Sequence, residues 1–273
     1  MIRSLVISIS VLTALSSAAM AQDSWHFRWI KGASLTYQIK HYTSVIETID
    51  TTTNSTDSKL DLINRWHVQD VDAKGIATLQ LTLLAMRNEQ KRANGEVLLF
   101  DSRDLDKSTP ELREQMKKYI GSTLAVLRVD AYGRVHEVKQ GNAASFDAEP
   151  PFLLVFPAAK PTAGQAWRRP FNLVLDPPYG TGEKYEAEQR IDCKKLEAGR
   201  ATLAISTHFK TMPDNRRERI PLMQKDVQGE IVFDVPGGRL LNAQLNIDQT
   251  VENHQGKGSR YQFKSQYTRQ LVE

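Results

Sequence analysis

The chain has 273 residues, of which 40% are hydrophobic and 25% charged, a composition typical of a folded globular protein. Its formal net charge is +4, from 36 basic and 32 acidic residues, and both signs are interspersed along the sequence. This balance argues against a nucleic-acid-binding protein, which would carry a concentrated basic surface. Cys193 is the single cysteine, so the chain has no intramolecular disulfide framework.

The first 21 residues, 1–21, predict a secretory signal peptide. Arg3 makes the start of the chain positive, Leu5–Leu15 is a short apolar stretch, and Ala19–Ala21 has the small-residue pattern of a cleavage site. The apolar stretch is shorter than the about 20 residues that a membrane-spanning helix needs, and no later stretch is long enough. We therefore expect cleavage after Ala21 and an exported protein, in the periplasm or outside the cell, that does not span a membrane.

Apolar and polar residues alternate with a period of two through most of the remaining chain. The alternation is strict in Leu241–Asp248, and similar runs occur at 34–40, 60–68, 79–85, 185–193, 203–209 and 261–267. Such runs predict antiparallel β-strands with one apolar and one polar face. Short turns that end in glycine, such as those at Gly75 and Gly199, separate the strands. The polar segment Thr48–Ser58 predicts a long irregular connection between two strands.

One amphipathic helix is predicted near 110–120. Thr109 can cap it and Pro110 suits its first position. Apolar residues then recur four apart on one face, which favours packing against the sheet: Leu112, Met116 and Ile120. The basic segment Asn215–Arg219 contains its own glutamate and lies between two prolines, a pattern that predicts a solvated loop.

Two stretches of the chain are similar to each other. The sequence GIATL begins at Gly75 and GRATL at Gly199, and GEVLLFD begins at Gly95 where GEIVFD begins at Gly229. The same order and similar offsets predict two copies of one β-meander unit. The alternative is the chance recurrence of a common turn-and-strand pattern.

The repeats define the expected domain organisation. The first repeat covers 22–147 and includes the helix, and the second covers 162–273. The proline-rich connector 148–161 joins them. It contains the apolar stretch Phe152–Phe156, so we expect it to stay docked against the fold and not to act as a free linker.

Two motifs resemble those of a known group of proteins. They are LVFPAAKPTAGQAW at Leu154–Trp167 and DVPGGRL at Asp234–Leu240. They are similar to an uncharacterised, planctomycete-type family of secreted bacterial all-β proteins, a domain of unknown function. In that family a proline, a short basic stretch and Gly-x-x-Trp open the second half, as Pro157–Trp167 does here. The resemblance implies an exported all-β protein and supplies no catalytic residue.

No motif in the sequence indicates catalysis. The six histidines form no pair with zinc-ligand spacing, and a G-x-S-x-G nucleophile motif is absent. The Gly-x-Gly within Tyr179–Tyr185 lacks the third glycine of a dinucleotide site. We therefore expect no metal and no cofactor, and we favour a non-catalytic protein over an enzyme, which stays open as a third interpretation.

The strands predict a mainly β fold, either a strongly curved antiparallel sheet or a half-open barrel. One short helix leaves much of an apolar sheet face to be covered. The first functional hypothesis is a non-catalytic binding module for an apolar small molecule or lipid, similar in architecture to the bacterial envelope carriers of lipidated proteins. The alternative is a structural or interaction protein of the cell envelope with a filled core and no ligand. The sequence leaves the oligomeric state open.

Four aromatic residues near the starts of strands are candidates to line a ligand groove: Trp29, Tyr37, Trp66 and Trp167. The alternative is that these rings fill the core. The alternation also predicts that two groups of aliphatic residues face one shared interior: Leu79, Leu81 and Leu83, and Leu241, Leu245 and Ile247.

Overall fold

The computed structural model describes residues 24–141, 153–175, 177 and 180–272. The predicted signal peptide 1–21, Phe152 and the first part of the connector 148–161 lie outside the described residues. Within the described part, twelve antiparallel strands form one sheet, and the two α-helices are short. The predicted mainly β, antiparallel fold is therefore confirmed.

The strands are β1 (Ser34–Ile49), β2 (Thr52–Val71), β3 (Ala77–Arg92), β4 (Val97–Asp101), β5 (Thr123–Val129), β6 (Val135–Gln140), β7 (Ala166–Leu175), β8 (Glu183–Glu197), β9 (Arg200–Phe209), β10 (Gln228–Asp234), β11 (Arg239–Glu252) and β12 (Arg260–Leu271). The helices are α1 (Pro110–Met116), which a 3-10 turn at Lys117–Tyr119 continues, and α2 (Arg216–Met223). A further 3-10 turn lies at Leu105–Lys107.

The order in the sheet is β6-β5-β3-β2-β1-β12-β11-β10-β9-β8-β7, and β4 pairs with β3 beside this path. The first and last strands of the chain are thus neighbours in the middle of the sheet. Among the described residues, β6 and β7 pair with one neighbour each and not with each other, so the sheet is not closed.

The sheet has two outer parts, which we call its wings: β3–β6 on one side and β7–β10 on the other. It curves until the two wings share one core. Leu127 of β5 belongs to the same buried cluster as Ile191 of β8 and Leu203 of β9. These strands lie towards opposite edges of the sheet, so the sheet must fold back for their side chains to meet. The result is the half-open barrel that the alternating strands predicted.

The irregular connection predicted at Thr48–Ser58 is wrong. β1 and β2 form one long hairpin whose turn lies at Asp50, with φ of 52°, and Thr51. Thr52–Ser55 are exposed because this end of the hairpin extends beyond the core. Polar residues suffice there, and threonine favours extended backbone. Polarity therefore marked an exposed strand end and not a loop.

A β-bulge changes which leucine of β11 faces the core. Val232 of β10 lies opposite Asn242, but Phe233 lies opposite Leu240, so Leu241 is the extra residue. Leu240 is fully buried, and Leu241 is only half-buried. Leu240 therefore takes the interior position that the strict alternation assigned to Leu241.

The predicted helix near 110–120 is confirmed, although its last turn tightens into a 3-10 turn. Its apolar residues, with Ile120 beyond it, pack against a buried cluster on β3 and β4: Leu83, Met86 and Phe100. The solvated loop predicted at Asn215–Arg219 is wrong, because α2 begins there. The Asn215 side chain caps α2 by accepting a hydrogen bond from the Arg217 N–H, and the helix continues through Pro221.

Four buried aromatic rings close one end of the curved sheet, and we call them the aromatic plug: Trp25, Phe27, Phe156 and Phe233. The ring centroid of Phe233 lies 5.3 Å from that of Phe27 and 4.7 Å from that of Phe156. Trp25 packs edge-on against Phe156, with centroids 6.3 Å apart. Edge-to-face pairs of this kind add stability beyond the area that they bury.

The plug is fixed to two turns of the sheet through the backbone. The Phe27 N–H donates to the carbonyl of Ala131 in the β5–β6 turn, at 2.7 Å. The next N–H, of Arg28, donates to Gly238 in the β10–β11 turn, at 2.9 Å. From the connector, the Phe156 N–H donates to Tyr132 in the β5–β6 turn. Residues 24–29 therefore act as a strap that joins the two wings.

The structure also locates the glycines on which the two-repeat prediction depends. Gly75 turns β2 into β3 with φ of 78°, and Gly199 turns β8 into β9 with φ of 77°. Gly95 lies in the β3–β4 turn, whereas Gly229 lies within β10. The division into 22–147, 148–161 and 162–273 stays a prediction.

We expect Gly133→Ala to destabilise the protein more than Gly75→Ala does. Both glycines have a positive φ, and alanine there costs about 1–2 kcal/mol. A Cβ on Gly133 would also lie 2.6 Å from the Leu154 carbonyl oxygen and 2.8 Å from the Phe27 ring, whereas a Cβ on Gly75 meets nothing within 4 Å. Urea unfolding measures both losses, and equal losses would contradict tight packing of the strap and connector on the β5–β6 turn.

Candidate functional site

A cleft of about 740 Å³ lies on the concave face of the sheet. Strands β1, β2, β11 and β12 form its floor. One side is formed by β3 and the 3-10 turn after α1, and the other by Gln224, Lys225 and Val227 after α2. The volume falls within the range of about 300–1,000 Å³ that is typical of small-molecule sites. Most of the floor and wall side chains are aliphatic, aromatic or methionine, and the aliphatic ones include Ile39, Leu62, Leu81, Leu83, Leu245 and Ile247.

The cleft exists because two short helices cover only the wings of the sheet. The α1 side covers the Leu83–Phe100 cluster of β3 and β4. On the other wing, Leu222 of α2 packs against Leu173 and Leu175 of β7. The aromatic plug fills the space at the closed end. The central strands between these three covers keep an apolar face that faces open space.

Arg269 of β12 marks the boundary between the filled core and the cleft. It is 2% exposed, lines the cleft, and its guanidinium carbon lies 4.0 Å from the centroid of the Tyr37 ring. Tyr37 belongs to the core, where its hydroxyl donates to the Leu240 carbonyl at 3.1 Å. Burial raises the pKa of Tyr37 to about 12, although the charge of Arg269 acts in the opposite direction. The tyrosine thus stays neutral beneath the arginine.

The cleft is lined by basic but not by acidic side chains, as far as the described residues show. His41, Lys225 and Arg269 line it, and no described aspartate or glutamate does. The Nε2 atom of His41 lies 2.8 Å from Ser265 Oγ. Burial, and second the charge of Lys225, lower the pKa of His41 below its usual value. His41 is therefore neutral at pH 7, and the lining carries the positive charges of Lys225 and Arg269.

Asn64 of β2 adds a polar group at the same end of the cleft. It lines the cleft, is 9% exposed, and pairs with Tyr37 across the β1–β2 ladder. Its Oδ1 atom is buried and has no hydrogen-bond partner among the described residues. Buried polar atoms usually have a partner, so this oxygen is one of a few exceptions within the described fold. Asn64 and Arg269 flank the same ring from β2 and from β12.

The structure separates the four aromatic candidates into two places. Trp66 lines the cleft and Tyr37 lies beneath Arg269, on neighbouring strands. Trp29 stacks on Phe27 at 5.0 Å, and its Nε1–H donates to Asp130. Trp167 packs beside Phe156 and lines a separate pocket of about 360 Å³. Only Trp66 of the four lines the main cleft, and the role of all four in ligand contact stays a prediction.

The polar residues of the cleft were not among the sequence candidates: His41, Asn64, Lys225 and Arg269. A signal for Arg269 was present, since it occupies an interior position in the alternation of Phe263, Ser265 and Tyr267. Lys225 had no such signal, because its place depends on α2.

Other chemical possibilities find little support in the part of the chain that the structure describes. No group of three or more His, Cys, Asp or Glu side chains there could hold a metal ion. Burial raises the pKa of the Cys193 thiol, which keeps it protonated and unreactive. No helix within the described ranges is long and apolar enough to cross a membrane.

Comparisons with known proteins show distant likeness alone. No family model and no curated protein matches the chain. A solved structure entitled "Lipid-protein interactions in lipovitellin" matches over 90% of this chain and 26% of that one, with 13% identity and a TM-score of 0.49. The chain therefore spans about a quarter of that lipovitellin chain. DynF, from the dynemicin biosynthesis pathway of Micromonospora chersina, matches with 7% identity and a TM-score of 0.21, over 91% of this chain and 85% of that one.

These likenesses are too remote to carry a functional argument. The predicted membership of the planctomycete-type family likewise stays a prediction, since no family model matches.

Two leucines on the same face of β3 test whether the cleft is empty. Leu79 is 1% exposed in the filled core, and Leu81 lines the cleft. We expect Leu79→Ala to lower the free energy of unfolding by about 2–5 kcal/mol, and Leu81→Ala by clearly less because it is packed on one side. Denaturant unfolding of both variants measures this. Equally large losses would mean that the cleft is filled in solution.

The buried His41 makes stability depend on pH. Its folded-state pKa is lowered, so the unfolded chain, with a histidine pKa of about 6.5, binds the proton first as pH falls. The free energy of unfolding should therefore decrease below about pH 6.5 and level off below the folded-state pKa. In His41→Gln this part of the dependence should vanish, while the other five histidines are unchanged. Unfolding at a series of pH values measures both dependences. If those of the parent and the variant are parallel, His41 is not buried in its neutral state.

Proposed function

We propose that this protein is a non-catalytic binding module that holds an apolar or lipid-like ligand in the cleft. The observation that carries the proposal is the apolar concave face of about 740 Å³, which neither helix nor the aromatic plug covers. An apolar surface of this kind is stabilised when an apolar molecule displaces water from it. Concave apolar space with a few polar groups is also the usual form of a ligand site.

The dimensions of the cleft favour an elongated ligand. The inner faces of β1 and β12 line it from Ile39 to Thr43 and from Arg269 to Phe263. Polar and apolar side chains both line the cleft on those two strands, whereas the lining of β2 and β3 is mostly apolar, with Leu60, Leu62, Trp66, Leu81 and Leu83. A molecule with a polar head and a long apolar body fits a lining of this kind. This supports a lipid-like ligand over a compact polar one.

The pair formed by His41 and Ser265 does not change this proposal. A serine–histidine contact of 2.8 Å is one part of a hydrolase site, which also needs a group that orients the histidine and donors for the oxyanion. No described acidic residue lines the cleft to orient His41. Ser265 lies inside β12 between β1 and β11, where the backbone N–H groups serve the sheet. The contact therefore fits a polar pair in a binding wall.

The second candidate function is a structural or interaction protein of the cell envelope with no ligand. The filled core at the plug end supports it, because there the sheet is covered as a ligand-free protein requires. The open cleft favours the binding module. Export through residues 1–21 is part of both proposals and rests on the sequence.

Filling the cleft should abolish binding. Thr43 of β1 lines the cleft, and Thr268 of β12 is exposed on the opposite face of the sheet. We expect Thr43→Trp to weaken binding of a fluorescent long-chain acyl probe by at least about tenfold, which corresponds to about 1.4 kcal/mol. Thr268→Trp should bind like the parent.

Probe fluorescence gives the dissociation constants, and urea unfolding confirms that both variants fold. The proposal fails if the parent, purified without detergent, neither carries lipid in native mass spectrometry nor binds the probe. It also fails if the two tryptophan variants bind equally well.

A further inference from the structure

We propose that the ligand of the cleft is a long-chain fatty acid whose carboxylate binds Arg269 and Asn64 at the closed end, with Lys225 adding to the positive potential. This inference rests on the proposed function and names the chemical class of its ligand. Three observations carry it: the sign of the charges that line the cleft, the position of Arg269, and the unpartnered amide of Asn64.

The first observation is charge complementarity. The described lining carries the basic side chains of Arg269, Lys225 and His41, and no described aspartate or glutamate lines the cleft. A ligand that brings one negative charge complements the sign of this lining, and an uncharged lipid does not.

The second observation is the placement of Arg269. One face of its guanidinium plane stacks on Tyr37, which fixes the plane, and the N–H donors of a guanidinium lie along the edges of that plane. A carboxylate is planar and accepts two parallel hydrogen bonds from such an edge. Arg269 is buried at the end of the cleft that the core closes, so the head group would lie deep and the acyl chain would run outwards along Leu245 and Ile247.

The third observation is Asn64, which is independent of the charges. Its Oδ1 atom is buried at the cleft without a hydrogen-bond partner among the described residues. The oxygen and nitrogen of an amide are exchanged by rotating it, and either orientation is compatible with the shape of the side chain. Rotated, the amide presents two N–H donors to the cleft. In that rotated orientation the N–H groups need an acceptor, and a carboxylate oxygen beside Arg269 would supply it.

His41 reports on the bound charge. Burial and Lys225 lower its pKa, and the groups that face it are Lys225 from the segment after α2 and Ser265 and Tyr267 from β12, while Arg269 lines the same cleft. A carboxylate bound among these groups favours the protonated imidazole. Fatty-acid binding should therefore raise the pKa of His41, and a fatty alcohol should not.

The test compares a long-chain fatty acid with the fatty alcohol of the same length, each displacing an uncharged fluorescent acyl probe from the full chain. We expect the parent to bind the acid at least about tenfold more tightly than the alcohol. Arg269→Gln should remove most of this preference, and Arg269→Lys should restore part of it. Lys225→Gln should weaken the acid severalfold and leave the alcohol unchanged. Lys264→Gln is the matched control, because Lys264 lies on the same strand as Arg269 but is exposed on the outer face.

Arg269 is buried, so its variants can lose stability, and urea unfolding shows which of them fold. Lys225 is only half-buried, so Lys225→Gln keeps the test valid if the Arg269 variants do not fold. Histidine NMR titration with acid and with alcohol gives a second readout, the pKa of His41.

The outcomes separate this inference from the proposed function. If acid and alcohol bind equally well, the head-group assignment is wrong and the binding module stands. If neither displaces the probe, or the probe itself does not bind, both proposals are wrong. An alkyl phosphate that binds more tightly than the acid would overturn the carboxylate in favour of another anion. Equal effects of Lys225→Gln and Lys264→Gln would show general attraction to a basic protein and would overturn the site.

Discussion

The curvature of the sheet depends on the strap that crosses its closed end. A long sheet whose described edges stay unpaired has nothing in its own ladder to bring its two wings together. Successive N–H groups of Phe27 and Arg28 bind turns on opposite wings, Ala131 on one and Gly238 on the other. The plug rings beneath the strap bury apolar surface from both wings at once, so the backbone contacts and the packing stabilise the same curved shape. The cleft is a consequence of this shape, since a flat sheet has no concave face.

Because the plug fills only one end, each central strand serves two purposes along its length. On β3, Leu79 packs in the filled core, and Leu81 on the same face lines the cleft. On β12, Arg269 lies next to the core, while Phe263 lines the open region. Stability is thus concentrated at the closed end, and uncovered apolar surface lies at the other. An apolar wall can then stay uncovered, because the free energy that keeps the sheet folded comes from elsewhere.

The sequence predicts the faces of the strands better than it predicts their ends or their exceptions. Alternation placed Leu83, Leu245 and Ile247 inside correctly, because a period of two follows from backbone geometry. It misplaced Leu241, since a bulge at this residue moves the interior position to Leu240, and that bulge depends on how β10 and β11 pair. It missed α2, because Pro221 was taken as a boundary, although the cap at Asn215 and the packing of Leu222 stabilise the helix. Lys225 could not be found without α2, because a loop residue acquires a place in a site only when the fold is known.

In the proposed binding mode, the two ends of the cleft would impose different constraints on the ligand. The closed end is rigid, because Arg269 is held against Tyr37, whose hydroxyl bonds to Leu240 within the core. A head group there meets donors of fixed geometry, and the geometry of such donors discriminates between head groups far more sharply than apolar contact does. The open end offers aliphatic side chains, and each added methylene changes apolar burial by only about 0.8 kcal/mol. The cleft would therefore select the charge and shape of the head group strictly and the length of the acyl chain loosely, because a directional contact lies at one end and a non-directional one at the other.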